Sequence, residues 1–338
     1  MILVAGAGVF GSSIALVLAQ GGFDVVLADP AAIGDNASGV AAGMLAPAFE
    51  AVLDSVSAGH FPLLRDARDR WPAFAARLSG RDVGLIRAGA VWVGAQSETA
   101  ALEVALVSIG AGAERHDGRL FTPEDWRLEA RLGLAAIQDA ALAAGARRVR
   151  SGVIGFEAGR ARLADGQRIV ADALVLATGA AALGLAPETD DLSPIAGQLL
   201  RFDLAGSCAH SPTRRFTGGY RVDTDHGVLI GATMEPGRTA DPAAARQLNA
   251  IAKAHFPELA GLEPAINWGV RAGTKDGLPL VGPSSRPGIL VAVGARRNGW
   301  LLAPLVAEMT AAYLAGADPG GYARAFDPRR FERAAGRS

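Results

Sequence analysis

The chain predicts an α/β fold, α+β overall, in which a parallel-sheet domain carries an inserted antiparallel sheet. Three separated stretches predict it. The first opens the chain over residues 2–29: an apolar run, then GAGVFG from Gly6 to Gly11, a helical stretch, and VVLADP. The second is LVLATG, ending at Gly179; the third is DGLPLVGP from Asp276, followed by VGARRNGWLLAP, ending at Pro304. In this order they describe one dinucleotide held across a Rossmann-type domain, and the third favours a flavin over a nicotinamide.

Ile2–Ala5 is wholly apolar, as a strand buried on both faces of a parallel sheet must be. Gly6 permits the tight turn, Gly8 lets the backbone approach a pyrophosphate, and Gly11 allows helix to pack on strand. Residues 12–20 predict a helix whose N-terminal amides and dipole face that pyrophosphate. Val25–Ala28 is the second strand, and Asp29 closes it where an acid accepts from the ribose hydroxyls. That acid disfavours a 2′-phosphate, which argues against NADP.

Half of the 338 residues are apolar, and a chain of this length predicts two lobes. A formal net charge of -1 gives no footprint for nucleic acid. The single cysteine, Cys208, allows no intrachain disulfide and is too little for a zinc or iron–sulfur site, so a reducing, cytoplasmic setting and no metal are expected. The N-terminal 20 residues lack the basic start of a signal peptide, and no apolar run is long enough for a transmembrane segment.

Residues 30–39 read as a loop, and GVAAGMLAP (39–47) as small residues able to lie flat against a planar ligand. Residues 49–78 read as mostly helical, with Leu53, Val56, Phe61, Leu64 and Trp71 in the core. Val83 to Val93 contains strand-like runs. Thr122-Pro123-Glu124-Asp125 reads as a helix start, with Thr as cap and Pro at the first position, the helix running to about Ala144. Residues 149–156, 161–163 and 173–177 read as strands, the last a neighbour of the first strand. Residues 192–264 read as antiparallel strands with a helix over 242–260, and the chain ends in a helix over 303–314. The expected division is a discontinuous flavin lobe (1–75, 125–190 and 265–338) and a substrate lobe (76–124 and 191–264).

These residues resemble the glycine oxidase and D-amino acid oxidase family of FAD-dependent amine oxidoreductases, in particular the branch serving bacterial thiamine synthesis. The resembling segments are GAGVFGSSIALVLAQGG, NASGVAAGMLAP, LVLATG, PIAGQ, GVLIGATM, GVRAGTKDGLPLVG and RRNGWLLAP, spread over nearly the whole chain. The resemblance implies non-covalent FAD, with Gly6, Gly8 and Gly11 at the pyrophosphate and Asp29 at the ribose. It implies Ser38, Ala41, Ala42, Gly43 and Met44 along the flavin, Val153 at the adenine, and Gly179 closing the second element. Arg297, Asn298, Gly299, Trp300 and Leu301 match the loop whose backbone donors face the flavin's pyrimidine end. Arg271 matches the arginine that grips the substrate carboxylate, Tyr220 a tyrosine donating to the same group, and Met234 and Met44 the walls around a small substrate. Arg297 is expected to add positive charge there.

The implied reaction is oxidative deamination of glycine, sarcosine or a D-amino acid, with oxygen as acceptor and hydrogen peroxide as product; a homo-oligomer is a further expectation from relatives. Two departures stand out. The family's usual His-aromatic pair is Ala295-Arg296 here, and Ala272 replaces the proline that usually follows the arginine. Both leave the pocket more open, more basic or differently gated. Three alternatives stay open: a dehydrogenase passing electrons to a quinone, the flavin lobe of a tRNA wobble-uridine modifying enzyme, and a flavin-binding protein without turnover. His60, His116, His210, His226 and His255 are scattered and read as structural or solvated.

Overall fold

Ile2–Ala5 is completely buried and pairs in parallel with Val25–Ala28 on one side and Ala173–Leu176 on the other. This computed structural model describes residues 1–331 except Ile33 and Ala182; residues 332–338, assigned from sequence to the flavin lobe, lie outside the described residues. The sheet has six strands in the order Leu280–Pro283, Ile289–Val293, Ala173–Leu176, Ile2–Ala5, Val25–Ala28, Arg147–Val149. All neighbours are parallel except the edge strand Leu280–Pro283.

The helix after the glycine turn spans Val9–Gln20, so it begins three residues earlier than expected and takes Gly11 into its first turn. Nearly all of it is buried, which suits a helix apolar around its whole circumference. It packs between Ala130–Ala143 and Gly299–Ala315 in one aliphatic cluster with Trp71, Phe74 and Phe326. The last helix likewise begins earlier than expected, at Gly299, and accommodates Pro304: the Trp300 carbonyl, which an N–H at 304 would have bonded, accepts instead from Trp71 Nε1 at 3.0 Å.

The second sheet is built mainly from antiparallel strands, as expected for residues 192–264. Its order is Glu235–Pro236, Ser193–Phe202, Gly227–Gly231, Gly219–Thr224, Thr213–Phe216, Ala90–Trp92, Arg119–Thr122 and Glu114–His116. Its one parallel pair joins Thr213–Phe216 to Ala90–Trp92. Ala265–Gly273 pairs antiparallel with residues 193–201, so this piece belongs to the antiparallel sheet rather than to the parallel one. Side-chain alternation divides the sheet's faces. Leu200, Phe202, Phe216 and Ile230 meet the helix Pro242–His255, while Leu199, Tyr220, Val222 and Leu229 face the other way, with Ala42 and Met44.

Three sequence readings are corrected. Residues 49–78 form three short helices, Pro47–Leu53, Phe61–Asp69 and Trp71–Ala76, and Leu53 is exposed rather than in the core. Residues 149–156 belong to two strands in different sheets, Arg147–Val149 and Val153–Glu157. Thr122 does not start a helix: it ends the strand Arg119–Thr122, and the helix begins at Ala130. The acids that suggested a first turn have other partners. The Asp125 carboxylate accepts from the Ala48 and Phe49 amides at 2.8 and 3.3 Å, and Glu124 pairs with Arg68 at 2.7 Å. Asp125 therefore caps the Pro47–Leu53 helix, 77 residues earlier in the chain.

Candidate active site: two joined cavities of opposite character

Two cavities meet between the sheets. The larger encloses about 920 Å³ and lies against the glycine turn, with Gly6, Gly8, Asp29, Ser38, Gly179 and Arg296 in its wall. The smaller, about 720 Å³, lies against the antiparallel sheet, with Met44, Glu50, Leu199, Tyr220 and Met234 in its wall. Ala37, Ala41, Arg271, Arg297 and Trp300 line both, so the cavities adjoin.

The geometry of the larger cavity fits FAD. Gly6 has φ 101°, and a Cβ at Gly11 would lie 1.8 Å from the Gly6 carbonyl oxygen, so the turn admits no side chain there. Gly8 caps the Val9–Gln20 helix without a side-chain acceptor, leaving the positive end of the helix dipole facing the cavity. The Asp29 carboxylate accepts from the Ala7 amide at 2.6 Å and the Ala31 amide at 2.8 Å, fixing the acid at the cavity's edge. Buried Gln138 donates to the Ala7 carbonyl at 2.8 Å and so braces the same loop from behind. Ser38 accepts from the Val9 amide through Oγ and from Trp300 Nε1 through its carbonyl. These bonds tie the 36–46 segment to the glycine turn and to the 297–300 loop.

Gly43 has φ 71° with its Cβ direction blocked by the Leu128 carbonyl, and the Leu128 amide bonds back to the Gly43 carbonyl at 2.9 Å. Ala42, Gly43, Met44, Asn298 and Trp300 all reach the smaller cavity, and Gly299 reaches the larger. Three expected cofactor residues stand back from both walls. Gly11 packs against the turn, Leu301 is sealed in the helical core, and Val153 belongs to a buried aliphatic cluster.

The expected substrate residues converge. Arg271, half-buried, donates to the Thr233 carbonyl at 3.2 Å and lies 3.3 Å from the Met234 sulfur; among the described residues no carboxylate pairs with it. Burial lowers its guanidinium from the ordinary value, an effect that Tyr220 and Glu50 oppose. Tyr220 is buried, and burial raises its phenol, opposed by Arg271, Arg297 and Arg215; it stays protonated and able to donate at neutral pH. Its ring stands over the Arg215 guanidinium, 5.7 Å from the ring centre.

The sequence reading missed the acids. Glu50, 4% exposed, holds Arg297 through two contacts, Nη2 to Oε1 and Nε to Oε2, each 3.0 Å, and accepts from buried Arg215 at 3.3 Å. Its carboxylate holds Arg297 above the usual arginine range, burial opposing. One turn on, Asp54 pairs with Arg296. The two arginines expected to make the pocket more basic are therefore each matched by an acid. A signal was present: Glu50 and Asp54, four apart in the otherwise apolar AFEAVLD, mark one polar helix face. None of the five histidines lines either cavity. Among the described residues there is no group of acidic, histidine or cysteine side chains able to hold a metal.

Comparison with known proteins agrees with this geometry. Residues 1–313 match the family model described as DAO, FAD dependent oxidoreductase. The glycine oxidase of Geobacillus kaustophilus is 28% identical over 92% of this chain and 91% of its own length. A crystal structure of glycine oxidase from that organism superposes with a TM-score of 0.84 at 26% identity, covering 97% of this chain and 98% of that one. The putative thiamine biosynthesis oxidoreductase ThiO of Rhizobium etli is 31% identical over 90% of this chain and 94% of its own length. The tRNA 5-methylaminomethyl-2-thiouridine biosynthesis bifunctional protein MnmC of Maricaulis maris is 33% identical over 94% of this chain, which spans 52% of that longer protein. The chain belongs to the DAO family of FAD-dependent oxidoreductases.

Proposed function

From that membership we propose that this protein oxidatively deaminates a small amino acid or amine, such as glycine, sarcosine or a D-amino acid. The products are an imino acid, its keto acid and ammonia after hydrolysis (methylamine in the case of sarcosine), and hydrogen peroxide from oxygen. The observation that carries the reading is Arg271: a half-buried guanidinium with no carboxylate partner among the described residues, in the wall shared by both cavities.

Held against the glycine turn, Ser38 and the 297–300 loop, FAD would supply the two-electron redox chemistry. The chain's own residues do the positioning. Arg271 presents its planar fork to two carboxylate oxygens, and the protonated Tyr220 adds a third donor. Met44, Met234 and Leu199 close an apolar wall around the α-carbon and keep the bound amine short. The amine nitrogen gives up its proton before reaction. No side chain is required as a base, since Glu50 is engaged by two arginines and catalysis rests on orientation.

The name of the Rhizobium etli relative supports a place in thiamine biosynthesis. The Maricaulis maris relative supports a second reading, in which the amine is carried on a modified uridine of tRNA. The near-neutral charge favours the free amino acid. Oxygen uptake and peroxide release with glycine, sarcosine and D-alanine, alongside tRNA binding, separate the two. Turnover of a free amino acid without tRNA affinity is expected; tRNA binding without turnover would reverse the choice.

A further inference from the structure

The smaller cavity holds more cations than a zwitterionic amino acid needs. Arg271 and Arg297 both line it, yet they differ in what they already hold. Arg271 has only a carbonyl and a thioether. Arg297 donates from Nη2 to Glu50 Oε1 at 3.0 Å, with Nε 3.0 Å from Oε2, so the Glu50 carboxylate lies where a substrate carboxylate would meet that guanidinium. Glu50 is itself fixed. It projects from the helix Pro47–Leu53, whose first amides are capped by buried Asp125, and Arg215 takes its Oε1 from the far side.

We propose that Glu50 is a specificity-determining residue that occupies Arg297 as an internal carboxylate, so that the pocket admits substrates with one carboxylate and excludes those with two. This rests on the substrate reading above. Among the described residues, Arg297 is the other arginine in the wall of the smaller cavity and so the group to receive a second carboxylate. To take it, the substrate would have to displace Glu50 and leave a buried carboxylate with Arg215 alone, beside an incoming like charge. That repulsive element discriminates against dicarboxylates without touching the bound monocarboxylate. The same pairing sets the pocket's charge: Glu50 faces Arg297 and Arg215, Asp125 lies 4.0 Å from Arg215, and among the described residues Arg271 is left without a carboxylate partner.

The test uses the FAD-loaded protein and two unreactive probes, acetate and succinate, with dissociation constants read from perturbation of the flavin absorbance. Wild type is expected to bind acetate more tightly than succinate. Glu50→Gln keeps the shape, frees Arg297, and is expected to shift the acetate-to-succinate ratio toward succinate by about 10- to 100-fold. In the double variant Glu50→Gln/Arg297→Gln the gain must vanish, because the freed guanidinium is the receiving group. Should Glu50→Gln not accumulate as folded holoprotein, Glu50→Asp, which shortens the same pair, must show a smaller shift of the same sign. An unchanged ratio in the Glu50 variants, with acetate still bound through Arg271, overturns this inference and leaves the proposed function intact. Acetate binding that survives Arg271→Ala unchanged overturns the proposed function itself.

Discussion

The two ends of the joined cleft are made of different material. At the glycine turn the wall is backbone: φ angles open only to glycine, a helix end, and one acid tied to amides by short bonds. At the antiparallel sheet the wall carries side-chain charge, with Arg271, Arg297 and Glu50 beside Tyr220, and with Arg215 bonded to Glu50 and stacked on the Tyr220 ring. The first end is specified locally, by residues adjacent in the chain. The second is assembled from segments more than 150 residues apart, and its chemistry depends on which charge cancels which.

The sharpest way to break this contrast is to load the backbone end with one methyl group. Gly11→Ala places a Cβ 1.8 Å from a carbonyl oxygen that cannot move without opening the turn. A loss on the order of 3 kcal/mol and of bound FAD is expected, read from thermal unfolding and flavin content. A variant with wild-type melting and full flavin would refute backbone specification there. At the charged end, Arg271→Ala is expected to retain FAD while raising KM for the amino acid by about 2–4 kcal/mol, or roughly 30- to 1,000-fold. An unchanged KM removes Arg271 from the pocket.

The brace between the ends titrates. Burial pushes the Asp125 carboxyl up to about 6, opposed by Arg215 and the two amides it caps. With the folded value above the ordinary 3.8, the folded state binds the proton more tightly. Its stabilising contribution is fully present below pH 3.8 and is lost as pH rises through about 6. Wild type should therefore lose up to about 3 kcal/mol over that window relative to Asp125→Asn, whose side chain does not titrate. Parallel unfolding curves of the two proteins across that window would contradict the assignment. The smallest effect on substrate binding is expected for Arg296→Ala. Its partner Asp54 is buried and keeps the Ser57 hydroxyl, at 3.1 Å, so KM should be nearly unchanged while stability falls by about 3 kcal/mol. A large KM change would mean that the Arg296–Asp54 pair acts on the substrate cavity after all.

The same contrast explains what the sequence made legible. Gly6, Gly8, Gly11 and Asp29 are readable because a turn, a helix start and a strand end are short-range events with fixed spacing. Arg271, Tyr220 and Met234 were singled out through family resemblance, and the fold places all three in the wall of the smaller cavity. Glu50 and Asp54 were not legible, because nothing in AFEAVLD says that Arg215, Arg296 and Arg297 come to meet them. Thr122 to Asp125 misled for a related reason. A Pro followed by acids has the chemistry of a helix start, but Asp125 spends that chemistry on another helix through a contact across the fold. Local pattern fixes what a residue can do; its partner is chosen by topology.

The proposed function requires FAD held with its reactive face open to an amino acid anchored by Arg271. Anaerobic titration of the purified yellow protein with glycine and sarcosine, followed at the flavin's visible absorbance, tests it most directly. The account predicts bleaching by at least one of them, with Arg271→Ala still yellow but unbleached at the same concentrations. A colourless protein that refuses FAD on reconstitution, or a variant that bleaches like wild type, would contradict it.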